Sequence, residues 1–459
     1  MGALLAGSHM VAGAVAIELP WLEPADAFLA LAEDPHLAFL DSAATQDKRA
    51  EVSYLCPDPV AALRLGMETP DPFADLQAWI PAGAPRSSPS AGAWPFAFAG
   101  GAIGWLGYDL GRAACGLPSR FAPVPGLPGG SFCLYDTVLG FDHRARRAWA
   151  LAWDRPDSPA AARLVRLAGR LTTAPHHPHP GTAPDWHAEM PRETYEMRLD
   201  LLRGYIAAGD IYQANLTVRF AAPRPADFSP VAYHMALRRR SPAPFGAYLG
   251  GGDGVAISGA SPERFLRLAP DGRVETRPIK GTAARSPDPD EDARAAAALL
   301  ASPKERAENL MITDLLRNDL SQVCEVGSVA VPELLVLERY AQAHHLVSAV
   351  TGRLRAGLGA TDLLRAAFPG GSITGAPKRR AMQIIDELEA GPRGAYCGAV
   401  VWIGFDGAMD SAIIIRSLVA TREMLFAQAG GGITWDSEAG AEYEEMMLKL
   451  SALLAASRG

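Results

Sequence analysis

The chain has 459 residues, 49% of them hydrophobic and 20% charged, an ordinary globular balance that can bury a large core without staples. A net charge of −8 with no long basic run argues against nucleic acid as a partner, yet local arginines can still serve a small anionic substrate. No run reaches the roughly 18 apolar residues of a membrane span. The five scattered cysteines, Cys56, Cys115, Cys133, Cys324 and Cys397, contain no CxxC pair and read as reduced, mostly buried cytoplasmic thiols, not a disulfide frame or zinc site.

In chain order, Gly7-Ser8-His9-Met10 reads as a cloning remnant, so residues 1–9 are set aside from the fold. A loose stretch rich in Pro, Ser, Ala and Gly covers 81–94, and strand-like runs cover 131–141 and 148–153. The clearest break is 172–182, where Pro, Gly and His dominate. It reads as a solvated linker, and its three histidines do not need a metal. It divides the chain into an N-terminal part, 10–171, and a C-terminal part, 188–457. Beyond it the sequence predicts helices over 192–208, 291–301, 303–319, 361–367, 377–389 and 441–456. Strands are expected over 212–220, 254–258, 265–268, 274–277, 399–405 and 411–420. Strands without a regular β-α-β alternation predict an α+β fold.

Several segments combine residue types that carry chemistry. Lys280 ends an alternating run against a Gly281-Thr282 turn: it is an exposed lysine beside a turn, or a nucleophile in a partly closed site, where burial disfavours charge on an amine. Glu263 precedes it by a strand, a turn and a strand, a hairpin that would bring the two together. Ser302-Pro303-Lys304-Glu305 is a helix start, and Glu308 follows Glu305 on the same face. Glu442, Glu445 and Lys449 share one face of the last helix, beside a buried stripe of Met446, Met447, Leu450, Leu453 and Leu454. Each acidic pair is either a solvated face or half of a Mg²⁺ site, since that ion takes a few carboxylates plus water and substrate oxygens. The glycine run 368–378 lacks the lysine of a phosphate loop, so nucleotide binding is not expected there. The run Ala429-Gly430-Gly431-Gly432-Ile433 either serves a tight strand or lets backbone amides approach a ligand. Arg416, after three isoleucines, is an edge residue or a bidentate carboxylate clamp. His345, in His344-His345-Leu346-Val347-Ser348, is a structural histidine or a general acid or base.

Taken in order, DIYQANLT (210–217), SPERF (261–265), RPIKGT (277–282), ENLMITDLLRNDL (308–320), HHLVS (344–348), GGSITGAPK (370–378), IIIRS (413–417), AGGGI (429–433) and EYEEMMLK (442–449) resemble the chorismate-utilising enzymes. The N-terminal FLDS (39–42) and GGAIGWLGYD (100–109) resemble the amine-using members, so the likeness spans most of the chain. Two positions separate the branches. Gln213 stands where isochorismate and salicylate synthases carry a water-activating lysine, which favours ammonia as the nucleophile. PIKGT around Lys280 is similar to the aminodeoxychorismate synthase branch, whereas anthranilate synthases, the alternative, typically read PIAGT. LDS at 40–42 likewise departs from the LLES element of anthranilate synthases.

The resemblance implies an antiparallel β-sheet sandwich with helices packed outside and an active site in a cleft between its halves. It implies Mg²⁺ held chiefly by Glu308 and Glu445, with Glu305 and Glu442 beside them. It places Arg416, Tyr396 and the amides of Gly430, Gly431 and Gly432 on the enolpyruvyl carboxylate of chorismate, with Gly281, Thr282, Gln213 and Lys449 also lining the substrate. Lys280 is implied as the nucleophile at C2, Glu263 as the general acid and His345 as a further acid–base group. The implied product is 4-amino-4-deoxychorismate, an intermediate toward p-aminobenzoate and folate. With no glutaminase segment in the chain, ammonia is expected from a separate glutamine amidotransferase subunit.

Overall fold

The computed structural model describes residues 9–11, 13–80, 94–172, 177–339 and 343–458. Most of the expected cloning remnant, nearly all of the loose stretch 81–94 and part of the linker lie outside the described residues. Among the described residues the strands form two antiparallel sheets of thirteen and ten. The first runs across from His9–Val11 through Ala14–Leu19, Arg147–Trp153, Thr137–Asp142, Val52–Cys56, Ala38–Asp41, Phe245–Gly252, Val255–Ser261, Ser417–Ala420 and Met424–Ile433 to Gln213–Pro223 and His187–Ala188, with Gly375–Ala376 also on Gln213–Pro223. The second runs from Ile279–Ala284 through Ala343–Arg353, Arg273–Thr276, Arg264–Leu268, Met409–Ile413, Ala399–Gly404 and Gly101–Leu106 to Gly130–Tyr135 and Ala61–Leu65, with Ala330–Arg339 also on Ala343–Arg353.

The sequence explains the layering. Successive side chains of a strand point to opposite faces. In Arg147–Trp153, Trp149, Leu151 and Trp153 enter the core between the sheets, while Ala148, Ala150 and Ala152 make a flat floor for outer helices. In Gly101–Leu106, Ile103 and Trp105 point into that same central core, and Ala102 and Leu106 face the helices covering the second sheet. Helices that include Arg192–Ala207, Pro230–Arg240, Lys378–Leu388 and Ala439–Ala456 cover the first sheet, burying Leu199, Tyr233, Ile384 and Met446. Pro303–Ser321 and Ala360–Ala367 cover the second, burying Ile312, Leu316 and Leu363. The α+β sandwich is the expected one.

Two expected strands each prove to be two. The run 131–141 breaks at Asp136, which carries the chain from the second sheet to the first and is itself buried in an ion pair with Arg163 (2.8 Å). The run 411–420 divides into Met409–Ile413 in the second sheet and Ser417–Ala420 in the first. Arg416 lies in that crossing with a left-handed φ of 51°, not at the end of a strand. Apolar alternation continues through both crossings, so the pattern alone does not mark them. The sheets also mix the two parts of the chain: Ala38–Asp41 pairs with Phe245–Gly252, and Gly101–Leu106 with Ala399–Gly404.

Candidate active site

The expected site residues gather where the two sheets meet. Arg264–Leu268 and Arg273–Thr276 form the anticipated hairpin, with Arg267 opposite Glu275. It delivers Lys280, on Ile279–Ala284, close enough to Glu263 for the two charges to interact. From the first sheet, Gln213 and Gly432 approach the same lysine. A methyl group on Gly432 would collide with Gln213 Nε2 and lie 3.2 Å from Lys280 Nζ. Gln213 is fully buried, and neither end of its amide has a protein partner. The three glycines of 430–432 therefore have a steric reason. Cβ atoms there would strike Leu216 O at 430, approach Glu442 Oε2 to 2.9 Å at 431, and push Gln213 from Lys280 at 432.

One helix from each side supplies the carboxylates. Pro303–Ser321 begins at the Ser302 cap, whose hydroxyl accepts from the Glu305 amide (3.4 Å). Its first turns carry Glu305 and Glu308; a methyl on Gly281, at φ 88°, would sit 3.0 Å from Glu305 Oε2. Ala439–Ala456 carries Glu442, Glu445 and Lys449. Glu442 accepts from Ser437 Oγ (2.7 Å), Lys449 pairs with Glu445 (2.7 Å), and Lys449 also donates to Gly430 O (3.0 Å). Lys304, which the sequence reading did not single out, reaches Glu442 at 3.9 Å and bridges the two helices.

The electrostatics divide these carboxylates. Loss of hydration pushes Glu263 above the ordinary carboxylate range, although the Ser372 hydroxyl (2.6 Å), Lys280 and Arg49 oppose the shift. Burial also raises Glu308, helped by the like charges of Glu305 and Glu442 and opposed by Lys280 and Lys304. At Glu445 burial acts upward too, but Lys449, Lys304 and Lys280 outweigh it and hold the group below its usual value. Among the described residues no three His, Cys, Asp or Glu side chains gather tightly enough to form a metal site by themselves. Mg²⁺ does not need three: it binds through one or two carboxylates and completes its shell with water and substrate oxygens. Carboxylates on two facing helices that raise one another's proton affinity suit such a cation.

The remaining candidates line the same region. Burial depresses Arg416, whose charge is felt by Tyr396 and Glu445, and burial drives the Tyr396 phenol well above its usual range. His345 lies opposite Thr282 across the strand pair, its Nδ1 3.1 Å from Thr282 Oγ1, and burial pulls it down to about 4. Its neighbour His344 is fully buried and bonds Asp292 (2.9 Å), a structural tie. Sequence reasoning quoted Ser372 within its motif but assigned it nothing. Its bond to Glu263 depends on a loop conformation that no spacing rule reveals.

This sandwich, with acidic helices facing a lysine and an arginine across a glycine ribbon, matches the chorismate binding enzyme model over residues 40–455. The chain belongs to the chorismate binding enzyme family. Among its relatives, aminodeoxychorismate synthase component 1 of Klebsiella aerogenes is 48% identical over 357 residues, covering 78% of this chain and 77% of that one. Anthranilate synthase component 1 of Streptomyces coelicolor is 39% identical over 455 residues, covering 95% and 87%. Among solved structures, anthranilate synthase component I of Streptococcus pneumoniae superposes with a TM-score of 0.75 at 30% identity, covering 88% of this chain and 92% of that one.

Proposed function

We propose that the protein converts chorismate and ammonia to 4-amino-4-deoxychorismate, as the names of several relatives between 44% and 48% identical suggest. The observation that carries this reading is Lys280 itself, an amine within electrostatic reach of Glu308 and of a Glu263 that burial pushes toward its protonated form. The Lys280 amine attacks C2 of the ring, both conjugated ring double bonds shift, and the C4 hydroxyl departs. Hydroxide is a poor leaving group, so Glu263 in its protonated form delivers a proton to that oxygen and is left as carboxylate. Ammonia then attacks C4 and gives up a proton to the Glu263 carboxylate, the two ring double bonds shift back, and Lys280 leaves as a neutral amine. The pyruvyl ether is untouched throughout.

The other groups bind and orient. Arg416, Tyr396 and the Gly430–Gly432 backbone receive the enolpyruvyl carboxylate, an arrangement suited to a planar anion. Gln213, with an unsatisfied amide beside Lys280, together with Gly281, Thr282 and Lys449, lines the ring. His345, largely neutral near neutral pH, serves as a hydrogen-bonding proton acceptor at the Thr282 edge. Glu308 and Glu445, with Glu305 and Glu442 behind them, would hold Mg²⁺. When bound, that ion neutralises the ring carboxylate that four glutamates would otherwise repel. A separate glutamine amidotransferase supplies the ammonia, which fits the designation of those relatives as component 1.

Incubation with chorismate, Mg²⁺ and ammonium salts tests the assignment. The expected product keeps its pyruvyl group, and no pyruvate is released. Release of pyruvate together with a fluorescent aromatic amine would assign the chain to anthranilate formation.

A further inference from the structure

Behind the glycine ribbon lies a charged pair that the proposed reaction does not use. Glu389 and Arg393, one turn apart in sequence, are buried to 4% and 1% side-chain exposure and meet at 2.7 Å. Their remaining hydrogen bonds go to backbone and to one threonine hydroxyl. Arg393 donates to Ile373 O (2.8 Å) and Asn215 O (3.2 Å), and Glu389 accepts from the Thr217 amide (3.1 Å) and hydroxyl (2.6 Å). A buried ion pair is weak evidence of stabilisation, since well-packed apolar groups often do as well. What this pair does geometrically is hang the turn Gly371–Ile373 from the strand Gln213–Pro223. Asn215 reinforces the suspension, its amide donating to Thr374 O (2.8 Å) and its side chain to Ser372 O (3.3 Å). From that turn the Ser372 hydroxyl reaches Glu263 Oε1 at 2.6 Å.

We infer that Ser372, held in place by the Glu389–Arg393 pair, is a positioning residue that fixes the orientation of the Glu263 carboxyl for its proton transfers. The inference rests on Glu263 being the acid of the proposed reaction. With Oε1 occupied by the serine donor, the proton of the acid form resides on Oε2, so one face of the carboxyl gives and takes it. The same hydroxyl stabilises the carboxylate left after the proton has gone. The charged and titratable groups that face Glu263 are Lys280 from the strand Ile279–Ala284, Arg49 from the N-terminal part and the Cys397 thiol from the turn after Arg393. Neither Lys280 nor Arg49 belongs to the turn that carries Ser372, so removing the hydroxyl leaves both in place.

The test uses Ser372→Ala, Ser372→Thr and Glu263→Gln in the full chain, at constant free ammonia. Ser372→Ala is expected to lower kcat roughly ten- to a hundredfold, the range of one hydrogen bond to a charged group, with KM for chorismate nearly unchanged. Its alkaline limb, which requires protonated Glu263, should move to higher pH because the carboxylate has lost a donor. The carboxylic C=O stretch that disappears in Glu263→Gln, read by difference infrared spectroscopy, should titrate at correspondingly higher pH. Ser372→Thr should restore all three readouts. If Ser372→Ala leaves kcat unchanged, or lowers it with neither the pH limb nor the infrared titration moving, the positioning role is overturned. If Glu263→Gln retains full activity, it is the assignment of the acid that fails.

Discussion

At the scale of residues the site is a contest between burial and charge. Burial pushes Glu263 and Glu308 toward their protonated forms, while the lysines around Glu445, Lys449 foremost, hold that group below its usual value, so carboxylates of one chemistry start from different proton affinities. Lys280 stands among them. With chorismate present and ammonia absent, the intact mass of the protein is expected to rise by an adduct that maps to the peptide containing Lys280. Lys280→Ala should cut aminodeoxychorismate formation on the order of a thousandfold, the scale of losing a group that takes part in bond making, with circular dichroism unchanged. Undiminished turnover without any adduct would leave Lys280 with an electrostatic part alone. The residues in this contest were legible from motifs that survive as short strings, such as PIKGT and EYEEMMLK. Lys304, Ser372 and Arg393 were not assigned, because each acts through a partner more than a hundred positions away or through backbone carbonyls whose placement follows from tertiary folding.

Among the elements, the helix Pro230–Arg240 shows what burial does when no reaction depends on it. Its His234 is wedged among Phe28, Phe39 and Tyr248, with Nδ1 2.9 Å from Ser258 Oγ, and burial lowers it to about 3. The unfolded chain binds a proton at this histidine near its ordinary value and the folded chain does not. The native state therefore loses stability as pH falls from about 6.5 toward 3. Asp41 beside it, raised to about 6 by burial, acts in the opposite sense over part of this range, so a variant comparison isolates the histidine. Between pH 7 and pH 5 the stability advantage of the parent over His234→Gln should shrink by about 2 kcal/mol in urea titrations. A constant difference would mean that the ring is protonated in the fold. The six helices expected beyond the linker were readable from periodicity and caps, and Pro303–Ser321 begins where Ser302 and Pro303 announce it, whereas the amphipathic helix Ala160–Leu171 was not anticipated. The helix Pro230–Arg240 was missed because it is buried on most sides and shows no polar face to give it a period.

For the molecule as a whole, the decisive fact is that the site belongs to neither sheet. Lys280 and the helix of Glu308 lie with the second sheet, and Gln213, Gly432 and the helix of Glu445 with the first. A small slip of one sheet over the other would separate the groups proposed to act together while leaving every strand paired. In a denaturant series, activity is expected to fall at a lower concentration than the far-ultraviolet dichroism signal, and coincident transitions would show that the sheets separate only on global unfolding. The α+β class was legible from strands without βαβ alternation, and the sandwich arrangement only through the family resemblance of the motifs. The mixing of both chain halves within each sheet was not, since pairings such as Leu40 with Ala247 and Trp105 with Val400 span hundreds of residues and leave no local trace.

The glycine ribbon shows how close approach of several elements is made possible. Three adjacent positions of a strand carry no side chains, and the space beside them is taken by the paired strand at Gly430, by Glu442 at Gly431 and by Gln213 and Lys280 at Gly432. Each glycine inside a strand gives up about 0.5–1 kcal/mol relative to alanine, so the ribbon forgoes roughly 2 kcal/mol of fold stability. Routine stabilisation by replacing glycine with alanine cannot recover it here, because the added methyl groups would land on the paired strand at 430 and on Glu442 and Gln213 at 431 and 432. The softest stretch of this strand is thus the wall that faces the chemistry, and the molecule can be made sturdier almost anywhere else first.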